Sequence, residues 1–308
     1  MPKTKRQKLS LYELLEHFDT EEKAMRHIEA VRWEGKRHCP RCGSTKTTES
    51  SHKKMPYWCG ACRKYFSVRT GTLMEDSRLP YRKWLTAIYL MGTSLKGISS
   101  TKLASDLGIT QKTAWFLGHR IRQAWDENAK QFFGSVEIDE AYLGGLERNK
   151  HESKKLKSGR GPTGKKPVIG FKERGTKKVK AVTVDSTDQG TVARVVIENV
   201  SRSTNIYTDE AAMYSILTHL GYEHCKVNHK SGEYVKGEAH TNGVESFWAL
   251  LKRGYYGIYH RMSVEHLQKY INEFANRTNV RPMDTIDQIN LTLKGLVGKR
   301  LTYQDLIQ

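Results

Sequence analysis

Apolar residues recur at helical spacing in LSLYELLEHF and TEEKAMRHIEAVRW, which predicts helices over residues 8–34. Thr20, just ahead of Glu22 and Lys23, suits the start of the second. The stretch from His38 to Met74 loses this rhythm. It has few apolar runs and many turn formers, so it needs a staple to fold. Helical spacing returns over residues 81–127. From 135 to 230 the period switches back and forth. VEIDEAYL, KPVIGFKE and KKVKAVTVD read as strands, TVARVVIENV as a helix, NIYTD as a strand, AAMYSILTHLG as a helix and YEHCKVNH as a strand. Residues 242–277 are helical again, with a break near Gly254 and Gly257. No internal repeat is present.

Charge narrows the choice of partner. The 308 residues carry a formal net charge of +19, with 37% apolar content, which points to a polyanion and first of all to nucleic acid. Basic residues concentrate at 148, 150, 154, 155, 157, 160, 165 and 166 in a Gly/Pro-punctuated segment that reads as an exposed loop. Lys154 and Lys155 are its candidates for phosphate contacts. The N-terminus has no apolar run of the kind a signal peptide needs, and nothing approaches the roughly 18 apolar residues of a membrane span. The expected location is cytoplasmic and nucleoid-associated, with no membrane partner.

The staple is legible in the cysteines. Cys39 and Cys42 form one C-x2-C knuckle, Cys59 and Cys62 a second, with sixteen residues between them. Two such knuckles joined by a hairpin supply four thiolates in a tetrahedron, the ligand set of a structural zinc ribbon. Four thiolates leave no open position for substrate. Cys225 stands alone and reads as a buried core thiol.

After the ribbon, STKLASDLG is a short amphipathic helix with Leu103, Ala104 and Leu107 inward. Gly108 suits a tight turn, Ile109 a plug between helices, and Thr110 a cap for the next helix. That pattern predicts a helix-turn-helix. The second helix would offer Gln111, Lys112 and Thr113 to the major groove, with Arg120 as a further DNA contact.

Three acids carry the candidate chemistry. Asp139 lies in the first strand of the central region, Asp209 at the end of NIYTD, and Glu245 on the helix of HTNGVESFWALLKRG. The order β-β-β-α-β-α-β-α resembles the RNase H-like fold. In that fold the first and fourth strands are neighbours, which would bring Asp139 to Asp209 and the last helix to both. Clustered carboxylates need a cation, and hard oxygen donors favour magnesium or manganese. Asn242 lies one turn before Glu245 and shares its helix face; Lys252, two turns after it, can grip a phosphate. Glu137, Glu140 and Glu210 flank the main acids as lesser candidates, and His240 precedes the helix.

Taken together, the ribbon segments CPRCG and CGACRKYFSVRTGT, with VEIDEAYLGG, IYTDE, HTNGVESFWALLKRG and EFANRTN, resemble bacterial insertion-sequence transposases that carry an N-terminal zinc ribbon ahead of a DDE-type domain. The likeness spans nearly the whole chain. Asn276 and Thr278 stand where that family more usually has aromatics. The resemblance implies metal-dependent cleavage at mobile-element ends and strand transfer, with Asp139 and Asp209 as ligands, Glu245 or alternatively Asn242 as the third position, and a homo-oligomer holding the paired ends. It also implies a division into N-terminal helices and zinc ribbon (1–75), a helix-turn-helix region (76–132), an α/β RNase H-like catalytic domain with a mixed five-stranded sheet flanked by helices (133–290), and a C-terminal tail (291–308). The competing readings are a catalytically dead zinc-ribbon regulator and a DNA nuclease or resolvase without strand transfer.

Overall fold

The computed structural model describes residues 6–126, 131–145, 151–155, 164–226 and 242–307. The chain forms two compact units, residues 1–127 with 282–308, and residues 128–281.

The first unit opens with α1 (Leu11–His17) and α2 (Glu21–Trp33). Ser10 and Glu13 make a reciprocal capping box on α1, and the Thr20 side chain accepts the Lys23 N–H at the head of α2. The ribbon follows as three short antiparallel strands in the order β1 (Thr47–Glu49), β2 (Tyr57–Cys59) and β3 (Lys64–Phe66). Strand alternation turns Tyr57, Cys59 and Phe66 inward, where Trp33 meets Tyr57 and Phe66 edge-on at 5.6 and 6.1 Å. Then come α3 (Tyr81–Thr93), α4 (Ser100–Leu107) and α5 (Gln111–Ala124). Gly108 takes a left-handed φ of 56° to end α4, and Thr110 caps α5 through the Thr113 N–H. Leu103, Ala104, Leu107, Ala114, Leu117 and Ile121 are buried in a core shared with the ribbon, with Ile109 packed against it. Residues 100–124 are therefore two short helices joined by a tight turn.

Residues 282–308 pack with this first unit. The apolar positions of α10 (Thr285–Gly295) explain why: Ile289, Leu293 and the following Leu296 are buried, and the Trp125 indole donates to Thr292 at 3.0 Å. A short α11 (Tyr303–Ile307) adds the buried Leu306.

The second unit is built on a five-stranded sheet of order β6-β5-β4-β7-β8. Its strands are β4 (Ser135–Leu143), β5 (Lys166–Glu173), β6 (Val179–Thr183), β7 (Asn205–Thr208) and β8 (Glu223–Lys226). The first three pair antiparallel; β4, β7 and β8 run parallel. This mixed, helix-flanked sheet is RNase H-like. On one face α6 (Gln189–Asn199) and the short α7 (Ile216–His219) cover Val136, Ile138, Ile169 and Phe171. On the other lie α8 (Asn242–Gly254) and α9 (Leu267–Val280), over Ala141, Leu143, Val168 and Ala181. The predicted break after α8 is a π-turn over Tyr255–Tyr259. The segment read as one helix at 211–221 is a 3-10 turn, Ala212–Ser215, running into α7. Cys225 is exposed, contrary to expectation, because it sits on the terminal strand β8, whose residues are largely open to solvent.

Helix α9 seats closely in spite of Asn276 and Thr278. Phe274 and Ile271 are fully buried, and Thr278 turns its hydroxyl back to the Phe274 carbonyl at 2.9 Å. Its amide side chains finish the free edge of β6. Asn279 both donates to and accepts from the Val179 backbone, and Gln268 does the same for Ala181 and Thr183.

One close approach is set by a glycine. Gly170 of β5 pairs with Asp139 of β4, and the Trp248 ring of α8 lies directly over it. A Cβ there would run into that ring and stand 3.1 Å from Val244 Cγ2. Gly170→Ala should cost about 1–3 kcal/mol by overpacking. Urea unfolding checks this; an unchanged midpoint would mean that α8 can shift without penalty.

Candidate active site

The acidic centre sits where the sheet has a notch. Strand β7 pairs with β4 only across Ser135, Val136 and Glu137, then ends at Thr208. Beyond that point the flank of β4 is open. Asp139 and Glu140 project to opposite faces of β4 at this opening, and Asp209 follows the last residue of β7. The three carboxylates come within 4.8 Å of one another. Each is half-buried. Burial, and then the charges of Glu140 and Asp209, push the Asp139 carboxyl up to about 7. Burial also raises the Glu140 carboxyl.

Each acid is held by a neighbour. The Trp248 indole N–H donates to Asp139 Oδ2 at 3.0 Å. The Tyr214 hydroxyl, fully buried, donates to Glu140 at 2.8 Å. Asp209 accepts the Ala211 N–H at 3.0 Å, and Thr208, which precedes it, pairs its hydroxyl with His224 Nε2 at 2.8 Å.

Glu137 has a different place from the one its sequence position suggested. It is 1% exposed, ion-paired with Arg174 Nε at 3.0 Å, and its other oxygen accepts the Val244 N–H at 3.0 Å. It therefore satisfies one of the backbone donors at the start of α8. Lys172 adds a bond to the Gly243 carbonyl at 2.9 Å. With Trp248 seated over Gly170, these contacts fix α8 in rotation and in height against the sheet.

Glu245, Asn242 and Lys252 lie on this helix and are exposed. Glu245 is one turn before Trp248 on α8. The third carboxylate inside the 4.8 Å cluster is Glu140. His240 falls outside the described residues, as do Arg148, Lys150, Lys157 and Arg160 of the basic loop. Lys154 belongs to the 3-10 turn Glu152–Lys154, and Lys155 pairs with Glu152 at 2.6 Å. Sequence reasoning expected the two aspartates to meet, as they do, but missed the contacts that Trp248 and Tyr214 make with this cluster. Trp248 was legible only as part of an apolar helix face.

The other expected sites fall as follows. All four ribbon sulfurs lie within 4.8 Å of one another. Cys39–Cys62 and Cys42–Cys59 are separated by 3.7 and 3.6 Å. A tetrahedron with Zn–S bonds of about 2.3 Å has edges of roughly 3.8 Å, so this donor set fits zinc and is too open for disulfides. The three carboxylates, all hard oxygen donors with raised proton affinity in two cases, fit a magnesium- or manganese-type ion. On α5, Gln111 and Lys112 are exposed and Thr113 is partly so; Gln111 donates to Ser100 at 2.8 Å and Lys112 lies over the Tyr303 ring at 4.6 Å. Arg120 is 8% exposed, its guanidinium stacked over Phe116 at 4.2 Å, so its visible contact is internal to the unit.

Comparisons with known proteins agree with this geometry. Residues 131–279 match the ISXO2-like transposase domain, and residues 19–65 match the transposase zinc-ribbon domain. The chain belongs to the zinc-ribbon, ISXO2-like transposases. One relative is an uncharacterized protein in transposable element ISH50 of Halobacterium salinarum, 27% identical over 85% of this chain and 92% of its own length. Another is an uncharacterized transposase-like protein of Haemophilus influenzae, 28% identical over 33% of this chain and 81% of its own length. Among the described residues of the transposase, no helix is long and apolar enough to cross a membrane.

Two outcomes are expected. Stripping zinc, or Cys59→Ser, should open the ribbon and expose residues 38–66 to limited proteolysis; undiminished resistance after complete zinc removal would count against a structural metal. The second concerns Asp139, whose folded value near 7 exceeds its ordinary 3.8. In buffer free of magnesium and manganese the folded state keeps this proton longer than the unfolded chain does. Stability supplied by Asp139 should thus be fully present below about pH 4, decline as pH rises, and be lost above about 7. Asp139→Asn should remove this slope, measured as the wild-type minus variant difference in urea unfolding.

Proposed function

We propose that this transposase cuts DNA at the ends of a mobile element and joins the freed strand to target DNA. The observation that carries this reading is the cluster of Asp139, Glu140 and Asp209 at the notch between β4 and β7. Asp139 and Asp209 would hold the catalytic ions, with Glu140 inside reach and Glu245, or Asn242, contributing from α8. Divalent ions held by these carboxylates would supply Lewis-acid chemistry for phosphodiester cleavage.

The chain's own residues do the remaining work. Trp248 holds the Asp139 carboxylate through its indole N–H, and Tyr214 holds Glu140 through its hydroxyl. Lys252, two turns along α8 from Glu245, is in register to hold a phosphate near the reacting end. The helix-turn-helix presents Gln111, Lys112 and Thr113 for reading the terminal sequence, and the ribbon metal is structural. Lys154 and Lys155 belong to the loop that would follow the DNA backbone. Joining two ends calls for at least two copies of the chain, and work on chromosomal DNA places the protein in the cytoplasm with the nucleoid.

The test is strand cleavage on DNA flanking the protein's own gene, with magnesium or manganese. Wild type should nick at defined ends. Asp139→Asn and Asp209→Asn should bind the same DNA and leave it uncut. Full cleavage by both variants refutes the assignment. Cutting without any joined product, and without need for paired ends, identifies a nuclease; binding without cleavage under any metal identifies a regulator.

A further inference from the structure

The outer face of the zinc ribbon is unused by everything above. Strand alternation that buries Tyr57, Cys59 and Phe66 turns Trp58 and Tyr65 outward, and these two are directly opposite one another across β2 and β3. Their rings lie 4.6 Å apart. His52, from the turn between β1 and β2, adds a third ring 5.3 Å from Tyr65 at an interplanar angle of 38°. Tyr65 is 45% exposed and Trp58 partly so. A cross-strand aromatic pair can simply stabilise a ribbon. That role needs neither a third, exposed ring nor the charge around it.

The charge is one-sided. Between His38 and Phe66 the only acid is Glu49, against the six cations Arg41, Lys46, Lys53, Lys54, Arg63 and Lys64, all exposed. Glu49 is already paired with Arg26 at 3.0 Å and approached by Arg37 at 3.6 Å. Lys53 and Lys54 directly follow His52, and Lys64 directly precedes Tyr65. Aromatic faces set among uncompensated cations suit a ligand with flat apolar rings on a polyanionic thread.

We propose that the Trp58–Tyr65–His52 face binds unpaired DNA, stacking exposed bases on the rings while the flanking lysines contact phosphates. Within a paired duplex each base face is covered by its neighbours, so stacking of this kind selects a strand that has been opened. The inference rests on the proposed role in DNA cutting and joining, where unpaired or splayed nucleotides arise at the processed end. It assigns the ribbon a ligand separate from the duplex that the helix-turn-helix would read.

The experiment uses the full-length, zinc-loaded chain and fluorescent oligothymidylate, with a duplex as comparator, over a range of salt. Trp58→Ala and Tyr65→Ala should each weaken oligothymidylate binding roughly 5- to 150-fold, and duplex binding far less. Tyr65→Phe should bind as wild type. The slope of log affinity against log salt should be unchanged by the ring variants and shallower in Lys53→Ala/Lys54→Ala. Zinc content is measured for each variant to show that the ribbon is intact. Wild-type oligothymidylate affinity in both alanine variants, with zinc retained, overturns the proposal. A second measurement avoids substitution altogether. Iodouracil oligonucleotide crosslinked to the wild-type protein should map to the peptide containing Trp58 or Tyr65, and crosslinks confined elsewhere also overturn the proposal. Because neither measurement reads cleavage, a protein that cuts element ends normally while failing both tests would refute this inference alone.

Discussion

Crowded negative charge governs the second unit. Three carboxylates lie within 4.8 Å of one another, half out of water, and no arrangement of that kind is at ease without protons or cations. Holding such a group together takes a rigid frame, and much of what surrounds it is that frame. Strand β7 is short, so the notch exists; β4 runs on past it, so Asp139 and Glu140 can approach from its two faces; Tyr214 and Trp248 then tie each carboxylate to an opposite side of the sheet. The site is thereby linked to both hydrophobic layers, and its geometry is inherited from packing set elsewhere.

The second carboxylate theme is Glu137. Two residues from Asp139 on the same face of β4, it is buried and neutralised by Arg174, whose guanidinium also stacks on Tyr207 at 3.8 Å. Its other oxygen accepts the Val244 N–H. A buried ion pair is seldom a net source of stability, but losing one partner leaves an uncompensated charge. Here the pair has a positional consequence. It fixes where α8 begins, and so where Asn242, Glu245 and Trp248 fall relative to Asp139. Neighbouring acids on one strand face therefore serve different ends, one as part of the charged cluster and one as a helix anchor.

Much of this was legible in the chain because local pattern and tertiary requirement agree. The ribbon cysteines, the Ser10, Thr20 and Thr110 caps, the Gly108 turn and the alternation of β4 each announce their structure in a few residues. The meeting of Asp139 and Asp209 was legible from topology, since adjacent parallel strands bring the end of β7 alongside the middle of β4. What escaped depends on contacts distant in sequence. Nothing near Glu137 reveals that Arg174 and Val244 will meet it. Trp248 satisfies a helix's apolar period perfectly well without disclosing that its indole nitrogen reaches a carboxylate. Cys225 looked like a core residue because a strand's middle usually is one, and only the sheet order shows β8 to be terminal. The return of residues 282–308 to the first unit was hidden for a related reason: α10 has an ordinary amphipathic pattern, which says that it must be covered and leaves open by what.

The amide ladder along β6 has a consequence for how copies of this chain can meet. An exposed edge strand is an invitation to a strand from another molecule. Here Asn279 and Gln268, three turns apart on α9, occupy the backbone groups of Val179, Ala181 and Thr183 that such a strand would use. Extension of the sheet at this margin would first require prying α9 from its seat, with Ile271 and Phe274 drawn out of the core. On this side the sheet has a selvedge, and assembly by continuous β-structure is closed to it.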